Sequence, residues 1–168
     1  MYFVIIALCF VVGPIMSIII ERLVRRHRPD APDLLTLVLR WFTFWIVGVR
    51  LFTAGVVQAL RPEFTAEQIF NTTDPAVLPF ISELGYANIA MGVVGILTLV
   101  WRGWVPPAAL LGAIFLGLDG IRHLADGGAF TPDRTLAMVT DLIAVVVLGG
   151  CLIAVAVTKR RQEQVATN

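Results

Sequence analysis

Five long apolar runs, parted by short polar segments, set the plan of this chain: residues 2–20, 34–60, 80–101, 107–124 and 135–158. Each is close to the ~20 residues that a helix needs to cross a bilayer. The runs lack the two-residue alternation of strands, so the pattern predicts an all-α integral membrane bundle forming a single domain. Its expected architecture is five transmembrane helices: a four-helix core from the second to fifth runs, with the N-terminal helix added at its side. Pro14 predicts a kink in the first helix, since proline removes an intrahelical donor. Asp33 suits the N-cap of the second helix. Phe64 to Glu67 predicts a short surface helix begun by a capping box at Thr65. Gly85, Gly92 and Gly95 on the third run, and Ala113, Gly117 and Gly120 on the fourth, predict faces for close helix packing. On the third run Tyr86, Ala87 and Ala90 are expected to share the side of Glu83, with Asn88 projecting away.

Composition strengthens the membrane reading. Of 168 residues, 58% are apolar and only 15% charged, and the mean hydropathy is +0.84. The formal charge of +1 conceals an asymmetry in where the charges fall. The segment 21–33 carries Arg22, Arg25, Arg26 and Arg28 and is the densest basic stretch. Arg102 lies between the third and fourth runs, and Lys159, Arg160 and Arg161 follow the fifth. The alternate connections hold only Arg61 and Arg134. The excess of basic residues marks the cytoplasmic side. The expected topology therefore has the N-terminus outside and the C-terminus in the cytoplasm, in a bacterial cytoplasmic membrane. The first run has no basic segment before it, so it is not read as a cleaved signal peptide.

Against that background the ionisable residues inside the runs stand out. The stretch Leu116 to Leu124 puts Asp119, Arg122 and His123 three and four residues apart, on one side of a helix. Arg50 lies too deep in the second run to reach the cytoplasmic surface, whereas Arg40 can extend to the interface with Trp41 and Trp45 around it. Glu83 lies about one turn inside the third run, with Tyr86 on the same side, and Asp141 about two turns inside the fifth. With the expected topology these side chains fall at similar depth, toward the outer face. Charged groups are costly in hydrocarbon and turn toward a protein interior or a cavity. The candidate intramembrane polar cluster is thus Arg50, Glu83, Tyr86, Asp119, Arg122, His123 and Asp141. Arg50 and Arg122 balance two of its three acids.

Known soluble chemistries find no support. There is no glycine-rich phosphate loop, no GxSxG and no HExxH. Cys9 and Cys151 are the only cysteines and lie in apolar runs, so they read as small buried apolar residues. One histidine among scattered acids predicts neither a metal nor a haem. Basic residues flank the runs without interleaved aromatics, which argues against a nucleic-acid partner.

The motif Arg50-Leu-Phe-Thr-Ala-Gly55, followed by Ser82-Glu-Leu-Gly85 and by Gly92 and Gly95, resembles the DoxX-like superfamily of small four-helix membrane proteins. The resemblance covers roughly residues 41–158 and maps its matched polar positions onto Arg50 and Glu83. The chain departs from that pattern in its extra first helix. It also departs in Gln58 or Arg61, one of which stands in for a basic residue after the Ala-Gly pair. The resemblance implies a redox-associated membrane protein, and the polar cluster inside an apolar wall adds the expectation of an outer-leaflet pocket for a small amphipathic ligand such as a quinone. Arg50 or His123 would bond its carbonyl, and Glu83 or Asp119 would accept a proton. Two other readings stay open. One is a non-enzymatic subunit or assembly factor whose partner is another membrane protein or a second copy. The other is a small proton-coupled transporter. No catalytic motif marks the chain as an enzyme.

Overall fold

A computed structural model describes residues 2–29, 31–125 and 132–166; for Tyr2, Asp133, Arg134, Gln162, Val165 and Ala166 it describes the backbone alone. The predicted outer loop before the last helix, at 126–131, and the tail beyond 166 lie outside the described residues. The helices are α1 (Phe3–Arg25), α2 (Leu34–Leu60), α3 (Pro62–Gln68), α4 (Leu78–Leu97), α5 (Val105–Ala125) and α6 (Pro132–Ala166). No strand occurs among the described residues. All but the short α3 belong to five helical stretches long and apolar enough to cross a membrane.

Local chemistry explains the irregular turns. Pro14 has no N–H to give, and in a regular α-helix its ring would clash with the carbonyl of Phe10. The preceding turn, Leu8–Val12, widens into a π-helix, and the Gly13 N–H reaches back to the Leu8 carbonyl. Asp33 caps α2 as predicted: its Oδ1 accepts from the Thr36 N–H at 3.0 Å and its Oδ2 from the Thr36 hydroxyl at 2.6 Å. These bonds hold the Asp33 carboxyl below its usual range. A second π-helical stretch, Thr43–Arg50, interrupts α2. One residue added to a helix rotates all later positions by about 100°. Arg50, at the end of this stretch, is thereby turned inward and is 8% exposed.

Helix α2 lies at the centre, packed against α1, α4, α5 and α6. Its Leu39, Ile46, Val47 and Leu51 form the core with Ala109 and Leu116 of α5 and with Ala144 and Leu148 of α6. The predicted small-residue face of α4 is present and meets glycines of α2. A Cβ on Gly55 would stand 2.6 Å from the Gly85 carbonyl oxygen, and one on Gly85 would stand 2.7 Å from the Ala59 nitrogen. Only bare backbone allows helices this close. Helix α1 lies at the side, where Gly13 accommodates the Trp45 ring and the Trp45 indole donates to Ser17 at 3.0 Å. The buried core is thus drawn from α2, α5 and α6, with α4 packed on the glycine face of α2 and α1 against α2 and α6.

Several expectations need correction. The face of α4 is the reverse of the predicted one: Asn88 is buried, whereas Glu83, Tyr86, Ala87 and Ala90 are exposed. The buried positions Ile81, Gly85, Asn88, Gly92 and Gly95 repeat at helical spacing, so the glycine face carries Asn88 inward with it. There Asn88 donates to the Gln58 side chain of α2 at 2.7 Å. Helix α3 exists, but Thr65 does not cap it. Pro62 opens the helix, and Thr65 is buried within it. Helix α4 ends at Leu97 rather than near 101, while α6 continues through Lys159, Arg160 and Arg161. Helix α1 likewise runs on past residue 20 to Arg25, which puts Glu21, Arg22 and Arg25 on a helix and not in a loop.

Candidate functional site

Three helices, α2, α5 and α6, bring Arg50, His123 and Asp141 together in the interior. On α5, Ala109, Gly112, Leu116, Gly120 and His123 are buried at spacings of three and four, so His123 extends the core stripe. On α6 the matching stripe is Ala137, Thr140, Asp141, Ala144 and Leu148. On α2 it is Thr43, Ile46, Val47 and Arg50. Gly120 sets the spacing between α5 and α6. A Cβ there would stand 3.3 Å from the Asp141 Cβ, so the missing side chain lets Asp141 draw up to α5.

The Arg50 Nη2 donates to Asp141 Oδ1 at 2.5 Å, joining α2 to α6. Asp141 is 1% exposed. Its second oxygen, Oδ2, has no hydrogen-bond partner among the described residues. His123, 4% exposed, presents Nε2 at 3.8 Å from Asp119 Oδ2. That separation is beyond hydrogen-bond length. Asp119, His123 and Asp141 each offer one ligand atom, and these atoms lie within 4.8 Å of one another. The side chain of Asp119 is 45% exposed, so the group reaches the surface at that point. On the far side, the Arg50 guanidinium lies 5.6 Å from the centre of the Phe10 ring of α1, in cation–π contact.

Of the seven residues singled out in the sequence, the structure brings together Arg50, Asp119, His123 and Asp141. Glu83 and Tyr86 are exposed on the outward side of α4 and take no part. Arg122 is also exposed and borders a separate hollow of about 310 Å³ with Phe80 and Leu84. Arg122 therefore stands apart from the Arg50–Asp141 pair, and the charge balance of the cluster rests on Arg50.

A second charged group was not anticipated. Glu21 of α1 accepts from Arg40 Nη1 at 2.8 and 3.0 Å and from the Trp41 indole at 2.8 Å, and pairs with Arg25 at 3.2 Å. Arg40 thus binds across to α1, and the Trp41 indole donates to the same acid. The sequence signal was present in Glu21 and Arg25, four apart on a helix that outlasts its apolar run. Gln58 with Asn88 was also missed, since two amides thirty residues apart give no local pattern.

An apolar crevice of about 380 Å³ opens between α1, α2 and α6, and its walls include Phe10, Phe42, Thr140 and Val147. None of the clustered charges lines it. Phe10 separates it from Arg50, and Thr140 precedes Asp141 in the chain.

Fold and site together define a class: a helical bundle, apolar enough for a membrane, with an arginine, two aspartates and a histidine gathered across three of its helices. The chain belongs to a family of unknown function, DUF6790, whose profile matches residues 2–163. Neither a curated protein nor a solved structure matches it.

Proposed function

We propose that this chain is a multi-pass membrane protein, DoxX-like and redox-associated, that binds a small amphipathic ligand such as a quinone. The observation carrying this reading is the crevice whose wall, Phe10, lies directly against the buried Arg50 guanidinium. Ligand sites are mostly apolar with few polar groups, and the crevice with Arg50 behind it fits that description. Rotation of the Phe10 ring exposes the guanidinium, which donates to a ligand carbonyl, while Asp141 holds the other side of Arg50 in place. The excess of basic residues at 22–28, 102 and 159–161 supports a topology with the N-terminus outside and the C-terminus cytoplasmic, in a bacterial inner membrane by this reading. A fluorescent reporter that matures only in the cytoplasm, fused after residue 168, therefore lights up.

Native mass spectrometry of the protein in mild detergent with a short-chain ubiquinone tests the ligand. One quinone per chain is expected. Ala7→Trp, which fills the crevice, should reduce retention at least tenfold. Absence of any adduct on the folded protein, or an adduct indifferent to Ala7→Trp, overturns the reading. A second reading, a subunit of a membrane complex, draws on the exposed Glu83 and Tyr86 of α4. Polar groups facing outward from a spanning helix call for a partner.

A further inference from the structure

We propose that Asp119, His123 and Asp141 bind a single divalent transition-metal ion of the zinc class. The inference goes beyond the ligand reading. It uses the neighbouring donor set and needs no molecule in the crevice.

The donors are of the right type. Zinc takes imidazole nitrogen and carboxylate oxygen at about 2.0–2.2 Å, and its sites in enzymes keep three protein ligands with a fourth position open. A tetrahedron with bonds of that length has edges of about 3.4 Å. The His123 Nε2 to Asp119 Oδ2 edge is already 3.8 Å, and the Asp141 ligand atom completes a triangle no wider than 4.8 Å. Side-chain adjustments of an ångström or less close it. Asp119 and His123 occupy consecutive turns of α5, so the helix itself holds two corners. Gly120, between them in sequence, admits the third from α6.

An independent observation points to an occupant. Asp141 Oδ2 is buried and has no hydrogen bond among the described residues, whereas Oδ1 is held by Arg50. A buried carboxylate oxygen left without a donor is disfavoured by about 1–3 kcal/mol or more. A bound cation supplies what is missing. Arg50 then plays the part of the outer partners that orient ligating carboxylates in metal sites. Formal charge agrees: Arg50 offsets one of the two aspartates, and with a neutral imidazole the group retains one negative charge. Asp119, nearly half exposed, opens the group to the surface of the bundle, which an entering ion needs.

The test uses the full chain in mild detergent, stripped with a chelator and titrated with Co²⁺ in place of Zn²⁺. No quinone is present. One equivalent is expected, with the visible absorption of low-symmetry cobalt, displaced by Zn²⁺. Asp119→Asn sits at the exposed edge and should leave the helical circular dichroism intact while weakening binding at least tenfold. His123→Gln should do the same or more. His27→Ala, which alters the other histidine, and the double change Cys9→Ser with Cys151→Ser should leave the titration unchanged. Ala7→Trp should also leave it unchanged, which separates this inference from the quinone reading. No cobalt bound by folded protein overturns the proposal. So does a titration that survives Asp119→Asn, or one that is lost with His27→Ala.

Discussion

Glu21 and Asp141 are both buried acids held by an arginine of α2, yet they are finished differently. Both oxygens of Glu21 are occupied: Oε1 by Arg40 and Arg25, Oε2 by Arg40 and the Trp41 indole. Asp141 has one oxygen on Arg50 and one on nothing among the described residues, with His123 and Asp119 close by but 3.8 Å from each other. The first group ties α1 to α2 and leaves the carboxylate no room for a further partner. The second joins α2 to α6 beside His123 of α5 and leaves the Asp141 Oδ2 acceptor without a hydrogen bond among the described residues. Buried charge alone therefore does not mark a site. A closed set of hydrogen bonds reads as a fastening, and an open set reads as a place for something else.

The sharpest way to break the contrast is to remove Arg50. Arg50→Ala leaves Asp141 uncompensated in the core and should destabilise the fold by about 3–5 kcal/mol. The joint change Arg50→Leu with Asp141→Leu should recover most of that loss, because apolar replacement of a buried pair is often neutral or better. Unfolding in increasing dodecyl sulfate, followed by circular dichroism, measures both. A joint variant as unstable as Arg50→Ala would mean that the pair itself holds the fold together.

Next in size is the closed group. Glu21→Gln removes charge from a carboxylate that accepts several bonds and should destabilise by about 2 kcal/mol, within the range for hydrogen bonds to charged groups. A separate thiol-labelling assay on the folded protein should show α1 loosening from α2, read as increased reactivity of the buried Cys9. Unchanged Cys9 reactivity would mean that Glu21 does not tie α1 down.

A smaller effect separates both groups from an ordinary cap. Asp33→Asn trades a carboxylate that bonds the Thr36 N–H and hydroxyl for a neutral acceptor and should weaken α2 by about 0.3–1 kcal/mol at neutral pH, the worth of a negative charge at a helix N-terminus. The Asp33 pKa is lowered in the fold. Its contribution is therefore fully present above the unfolded value of about 3.9 and disappears as pH falls through the lower folded value. Wild type and Asp33→Asn should converge in stability once the pH lies below that lowered folded value. A gap that persists there would assign the effect to shape, not charge. The smallest change is expected for Asp119→Asn, within about 0.5 kcal/mol, as befits a half-exposed side chain.

How much of this is legible in the sequence depends on the kind of feature. Hydropathy finds spans, so all five apolar runs are legible, as are the cap at Asp33 and the glycine face of α4. Spacing on one helix is also legible, and it pairs Asp119 with His123. Contacts between helices depend on rotation about each axis, and there the sequence is only partly informative. Arg50 and Asp141 both stand out as deep charges, but only the π-helical stretch at Thr43–Arg50 turns the arginine inward. Glu83 and Tyr86 join them only if α4 turns its acid inward. The glycines, which require the closest approach, set its rotation instead. Glu21 escapes notice because the apolar run ends before its helix does.

The central claim is that the open group binds a cation and the closed group does not. Competition between Co²⁺ and Zn²⁺ for the chelator-stripped protein, run in parallel on Asp119→Asn and Glu21→Gln, tests it most directly. A loss of apparent affinity of at least tenfold is expected in Asp119→Asn, with no change in Glu21→Gln. Equal affinities in the two variants, or a loss confined to Glu21→Gln, would contradict it.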